Sequence, residues 1–307
     1  MRLRQLGGRQ SGVQGPEVSV IGLGAWPIGG GMGVLDEQQS IRTVRAAIDS
    51  GITLLDTAQA YRTSEATLGR ALADGYRDRC FLATKVSGDY TKAGVRAAME
   101  NSLQALGVDC VDLYQVHSWP GESVPIEETM DEMLRLQTEG KTRWLGVSNF
   151  NAAQMAMALQ VAPIVSSQPR YNMIDREIEP QDLPWCEANG VGNLAHSPLA
   201  KGLLTGKYRP GHMFRPDDER SGFERFQGDA LARYCALTDK LTEVAAAKGI
   251  TMVQLAIAWC LRQPAVSSVL VGAKTETQVA EHVGAAAVTF DGDELAHIDS
   301  ILQGQSL

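Results

Sequence analysis

The 307-residue chain is poor in the features that would place it outside ordinary globular enzymes. Its five cysteines (Cys80, Cys110, Cys186, Cys235 and Cys260) are odd in number, widely spaced and never set as C-x-x-C. That pattern supports neither a disulfide framework nor a zinc site, and the mostly apolar surroundings suit small buried hydrophobes in a reducing compartment. There is no run of Lys and Arg, and 28 basic residues stand against 36 acidic ones for a net charge of -8, so nothing here would neutralise a nucleic-acid backbone. No stretch approaches the roughly 18 apolar residues that a membrane span needs, and the opening MRLRQLGGRQSG lacks the apolar core of a signal peptide. Low-complexity segments and domain boundaries are also missing. The expectation is one soluble, cytoplasmic domain over residues 1–307, without nucleic-acid or membrane partners and with no signal for an oligomeric state.

What is present is a regular beat. With 44% hydrophobic residues the chain can bury a large core. Helix patterns alternate with short β-branched runs, the signature of βα units on a parallel sheet. Residues 37–50 place Ile41, Val44 and Ile48 on one helical face and run into Gly51, a natural stop. Further helical patterns fall near 64–74, 92–106, 126–138, 151–160 and 180–189, with a long helical pair over 229–262. Strands are expected to begin near residues 52, 81, 111, 143, 164, 191 and 268, and SVIGLG near 18 makes the eighth. Eight beats in about 300 residues predict a (β/α)8 TIM barrel, whose active site lies on the loops after the C-terminal strand ends. The segment 205–228, rich in charge, Gly and Pro, reads as a long loop over the barrel mouth.

A doubly wound nucleotide fold is the rival, suggested by GLGAWPIGGGMG at 22–33. A dinucleotide fingerprint needs G-x-G-x-x-G between strand and helix, whereas Pro27 follows Gly24-Ala25-Trp26 here and the glycines read better as a flexible rim.

In a barrel, polar residues at consecutive strand ends converge. Four stand out: Asp56 and Tyr61 in GITLLDTAQAY, Lys85 in FLATKV and His117 in LYQVH. Taken singly, Asp56 could cap a turn, Tyr61 could be a rim residue, Lys85 could snorkel and His117 could be a satisfied core histidine. Together they suit protonation of an alkoxide, or the reverse, as a hydride moves at carbon. A nearby ammonium is expected to lower the pKa of the phenol, an acid to keep the lysine charged, and a histidine to polarise a carbonyl oxygen.

These segments, with SEATLGRAL, GKTRWLGVSNF, SQPRYN, SPLAKGLLTGKY and VLVGAKTETQVAEH, resemble the aldo-keto reductase superfamily in order and spacing over essentially the whole chain. The resemblance implies a (β/α)8 barrel, an extended nicotinamide cofactor, NADP(H) more than NAD(H), and interconversion of small-molecule carbonyls and alcohols. It implies a tetrad of Asp56, Tyr61, Lys85 and His117, with Tyr61 as general acid or base. Ser148, Asn149 and Gln168 match residues that hold the carboxamide. Ser197, Pro198, Leu199 and Gly202 match the loop along the diphosphate, with Lys207 near the phosphates and Arg220 as a looser match. Gly272, Lys274, Gln278, Glu281 and His282 match the adenosine end, where Lys274 is the candidate for a 2′-phosphate. Two departures stand out: His196 occupies the slot of the aromatic residue that stacks on the nicotinamide, and Gln278 and His282 replace the Arg and Asn common near the adenosine. Trp26 and Trp119 are expected to wall the substrate pocket. The loops 22–33, 117–125 and 205–228 and the tail after Phe290 are expected to set specificity. The second reading is a redox-sensing regulatory subunit resembling the potassium-channel β subunits, in which the histidine slot is typically asparagine; this chain carries His117.

Overall fold

A computed structural model describes residues 1–8, 15–33, 35–216 and 218–304, so Asp217 of the long loop and the last three residues of the tail lie outside it. Eight parallel strands close into a barrel: β3 (Ile21–Gly24), β4 (Leu54–Asp56), β5 (Phe81–Val86), β6 (Val111–Val116), β7 (Thr142–Ser148), β8 (Ile164–Gln168), β9 (Gly192–His196) and β10 (Val266–Val271). They pair in chain order, and β10 closes on β3. Ahead of them β1 (Leu3–Gln5) and β2 (Glu17–Ser19) form an antiparallel hairpin.

The hairpin is where the sequence reading differs. One strand was expected through SVIGLG, and the chain divides it, Ser19 ending the hairpin and Ile21 opening the barrel. The reason is local: Ser19 Oγ donates to the Ile21 carbonyl at 2.6 Å and accepts from the Thr53 and Leu54 amides, which turns the backbone at Val20. Leu6 and Val18 then plug the bottom of the barrel against Leu54, Phe81, Ala83, Leu113 and Leu194.

The first eight helices fall on the expected beats, and two more follow the last strand. They are α1 (Glu37–Asp49), α2 (Ser64–Ala71), α3 (Lys92–Leu106), α4 (Ile126–Thr138), α5 (Ala152–Val161), α6 (Asp182–Asn189), α7 (Gly228–Ala247), α8 (Met252–Leu261), α9 (Glu276–Gly284) and α10 (Gly292–Gln303). Their starts are set by side chains that satisfy free backbone amides: Asp36 accepts from Gln39, Thr91 from Gly94, and Asn151 and Thr251 form reciprocal capping boxes with Gln154 and Gln254. Strands buried on both faces, as in Phe81–Val86 and Val266–Val271, explain why they read as apolar runs rather than alternating ones. Among the described residues no single helix is long and apolar enough to cross a membrane. All five cysteines are free, and Cys186, Cys235 and Cys260 are buried.

The strand period places the chemistry. Side chains two apart share a face, so Leu54 leads to Asp56, Ala83 to Lys85, Leu113 to Gln115 and Leu194 to His196. The barrel interior therefore has an apolar lower part and a polar upper part.

Candidate active site

The polar upper part opens into a cavity of about 570 Å³ lined by Tyr61 and His117 at one end and by Lys274 and His282 at the other. Its floor is made of strand-terminal residues: Asp56 ends β4, Ser148 ends β7, Gln168 ends β8 and His196 ends β9, with His117 one residue past β6.

Lys85 is fully buried and donates to Asp56 Oδ2 at 2.6 Å, to the Thr57 carbonyl at 2.8 Å and to the Tyr61 hydroxyl at 3.3 Å. Burial works against the ammonium, but Asp56 and Tyr61 outweigh it and raise its pKa, so the cation persists. The phenol departs from expectation. Burial, the largest influence on Tyr61, raises its pKa more than Lys85 lowers it, so at neutral pH the hydroxyl holds its proton. Burial, reinforced by Lys85, pushes His117 down to about 3, leaving a neutral imidazole whose ring meets that of Tyr61 edge-on at 5.6 Å.

Two glutamines extend this group. Gln168 Nε2 donates to Asp56 Oδ1 at 2.8 Å and to Gln115 Oε1 at 3.3 Å, and Gln115 Nε2 donates to Asp56 Oδ1 at 3.3 Å. Gln115 was not singled out from the sequence, although a signal existed: it is the polar residue two before His117 in LYQVH, on the same face. Gln168, with its side-chain amide hydrogens turned to Asp56 and Gln115, has its side-chain Oε1 left, among the described residues, for an incoming donor.

The residues expected to face the nicotinamide form a connected chain. Asn149 Nδ2 donates to the His117 carbonyl at 3.0 Å and to Ser148 Oγ at 3.1 Å, and Ser148 Oγ donates to the Gln168 carbonyl at 2.8 Å. Asn149 Oδ1 therefore faces His196 Nε2 at 3.0 Å, and His196 Nδ1 meets Ser197 Oγ at 2.9 Å. Since Asn149 Oδ1 can only accept, Nε2 of His196 carries the proton and Ser197 donates to Nδ1. Burial, with Lys85, takes His196 down to about 3, so its imidazole is neutral at pH 7. Asn149 and Ser197 both sit at φ 58°, left-handed backbone held at some cost beside the site.

Toward the far end Lys207, Arg220 and Lys274 converge. Burial and the neighbouring cations hold the Lys207 and Lys274 ammoniums below their ordinary pKa, whereas Asp218 keeps Arg220 charged through hydrogen bonds from Nε and Nη2. Like charges gathered this way favour an anion. Lys274 Nζ donates to the Met32 carbonyl, and its backbone amide donates to Gln278 Oε1 at 2.7 Å, so Gln278 braces the turn. Ser197, Pro198, Leu199, Gly202, Gly272, Glu281 and His282 all line the cavity.

The two tryptophans part company. Trp26 lines the cavity, meets Tyr61 edge-on at 5.0 Å, and donates from Nε1 to Glu219 at 2.9 Å, the carboxylate that also accepts from Lys201 at 2.7 Å. Trp119 is not among the lining residues; its ring packs against Phe150 at 5.2 Å. The glycines of the rim serve close approach: a Cβ on Gly29 would stand 2.0 Å from the Tyr61 carbonyl and one on Gly31 2.2 Å from the Trp26 indole. The tail after Phe290 also differs from expectation. Residues 292–303 form α10, anchored through Ile298 and an Arg176–Asp299 ion pair, and none of them lines the cavity.

Buried His282 carries a testable consequence. Burial lowers its pKa to about 4. The unfolded histidine, with pKa ~6.5, takes a proton first as pH falls, so the stability from keeping it neutral is whole above about 6.5 and lost down to about 4, by about 1.4 kcal/mol per pH unit. Urea midpoints at pH 7.5 and 5 are expected to converge in His282→Asn relative to the unsubstituted protein; an unchanged pH dependence would remove His282 from this role.

The family model described as the aldo/keto reductase family matches residues 20–303. The chain is 40% identical over 303 residues to aldo-keto reductase YhdN of Bacillus subtilis (strain 168), covering 94% of this chain and 91% of that protein. It superposes on the glycerol dehydrogenase AKR11B4 of Gluconobacter oxydans with a TM-score of 0.88 and 34% identity, over 99% of this chain and 95% of the other. On these matches the chain belongs to the aldo/keto reductase family, oxidoreductases that interconvert carbonyls and alcohols with a nicotinamide cofactor.

Proposed function

We propose that this chain is an NADP(H)-dependent reductase of small polar carbonyl compounds, run in reverse as an alcohol dehydrogenase, with Tyr61 as the general acid or base. The observation that carries the reading is the Asp56–Lys85–Tyr61 hydrogen-bonded series beside neutral His117, facing one cavity with clustered cations at its far end. The five free cysteines suit a reducing cytoplasm.

The residues fit the cofactor. Lys207, Arg220 and Lys274 gather at one end, the two lysines held below their ordinary pKa by burial and by neighbouring cations, and Gly272 leaves its backbone open where a Cβ would stand 2.6 Å from Pro27. Gln168, Ser148 and Asn149 would hold the carboxamide, His196 would lie against the ring, and Lys207 with Arg220 would meet the diphosphate. When bound, the nicotinamide supplies or accepts the hydride. The chain's own groups manage the proton: the Tyr61 hydroxyl delivers it to the carbonyl oxygen, Lys85 Nζ stabilises the phenolate left behind, Asp56 keeps that lysine charged, and His117 orients the oxygen. The raised pKa of Tyr61 suits the reductive direction, because the acid is loaded at neutral pH. The name of the Gluconobacter oxydans relative, a glycerol dehydrogenase, favours small polar substrates, as does the Lys201–Glu219 pair beside Trp26.

Fluorescence titration with NADPH and NADH, followed by cofactor oxidation against aldehydes, ketones, sugars and quinones, tests the assignment. Tight binding with turnover is expected, and binding of neither nucleotide would overturn it. Lys274→Ala should raise KM for NADPH about ten- to a hundredfold, the cost of one charge-assisted phosphate contact, with little change for NADH. Equal changes for both would release Lys274 from the 2′-phosphate.

A further inference from the structure

The contact between Ser87 and His117 is used by nothing described so far. Ser87 is the residue after β5, two past Lys85, and its Oγ lies 2.6 Å from His117 Nδ1. Among the described residues its hydroxyl makes no other hydrogen bond. The His117 main chain is held on both sides, its amide donating to the Val86 carbonyl at 3.1 Å and its carbonyl accepting from Asn149. With the backbone pinned, the Ser87 contact is what sets the rotation of the imidazole and the position of its proton.

Two arrangements satisfy a 2.6 Å contact. Either Ser87 donates to Nδ1 and the ring proton sits on Nε2, or Nδ1–H donates to Ser87 and Nε2 is left bare. The geometry points to the first: Ser87 is a positioning residue that holds His117 in the Nε2–H tautomer, so that Nε2 can donate to the substrate oxygen. The hydroxyl proton has no other acceptor among the described residues, and a neutral ring with Nδ1–H would leave that proton unused. Burial, reinforced by Lys85, keeps the ring neutral, so a doubly protonated imidazole does not compete at neutral pH. The inference rests on the catalytic reading above for its consequence, yet the tautomer can be read without turnover.

The experiment uses long-range proton–nitrogen NMR of the 15N-labelled protein, with His117 assigned through a His117→Gln variant, alongside kinetics of Ser87→Ala and Ser87→Thr. The unsubstituted protein should show Nε2–H, and Ser87→Ala a mixture of tautomers. Loss of one neutral hydrogen bond should lower kcat in Ser87→Ala between about threefold and thirtyfold with KM for the cofactor unmoved, and Ser87→Thr should recover to within about threefold. An Nδ1–H signal in the unsubstituted protein overturns the proposal, as does a Ser87→Ala protein with unchanged tautomer or unchanged kcat. If Ser87→Ala does not fold, the spectrum of the unsubstituted protein still decides. Full activity in a Tyr61→Phe variant would instead sink the catalytic reading while the nitrogen shifts continued to judge Ser87.

Discussion

Replacing Tyr61 by Phe is expected to lower kcat by about a thousandfold, the scale of a missing general acid, while the dissociation constant for NADPH stays within about threefold. The separation follows from geometry. The ring of Tyr61 packs against Trp26 and His117, and that packing survives the substitution. Only the hydroxyl goes, and with it the group 3.3 Å from Lys85 Nζ that can hand a proton to the reacting oxygen. Because the hydroxyl matters in the transition state more than in cofactor binding, the effect should fall on kcat rather than on affinity. Steady-state kinetics and fluorescence titration on one preparation check it. Retention of most of the turnover would take Tyr61 out of the acid role and leave the neighbouring imidazole of His117 as the next proton donor to examine.

Lys85→Met is expected to fail twice, in turnover and in stability. Catalytically, the phenolate is deprived of the cation that stabilises it, and kcat should fall by a hundredfold or more, about the effect of removing one electrostatic stabiliser from a dry site. Structurally, Lys85 is fully buried against Asp56, and removing one member of a buried pair leaves the other charge unmatched. Such a change costs about 3–5 kcal/mol. Here Gln168 and Gln115 still donate to Asp56 Oδ1, which favours the lower end. A fall in melting temperature of roughly 5–10 °C follows for a chain of this length. Adding Asp56→Asn to Lys85→Met removes the stranded charge, so much of the melting temperature should return while turnover does not. Recovery of both together would mean that Lys85 acts only as a structural partner of Asp56.

Much of this site was legible from strand ends alone. GITLLDTAQAY and FLATKV carry their polar residues where a buried strand stops, and a barrel brings such ends together; Asp56 and Lys85 do meet, at 2.6 Å. The residues expected to hold the cofactor line one cavity for the same reason, since Ser148, Gln168 and His196 each end a strand. What stayed hidden was of two kinds. Trp119 sits two residues past His117, but whether its ring faces the cavity or Phe150 depends on loop conformation, which short-range pattern does not encode. The tail after Phe290 carries its own capping box, Asp291 with Glu294, and forms a helix, a local signal that a reading in terms of variable loops passed over.

The sequence by itself determined the barrel, the beat of its helices and strands, and the identity of the groups that would converge, because hydrophobic period and strand-end polarity are local and survive any choice of loops. Only the tertiary structure decided the electrostatics. Whether Lys85 lowers the Tyr61 phenol or burial raises it, whether His196 titrates, and which nitrogen of His117 meets Ser87 all turn on the balance between desolvation and neighbours several strands away. That balance depends on distances of a few ångströms between residues far apart in the chain, and no spacing along it carries them.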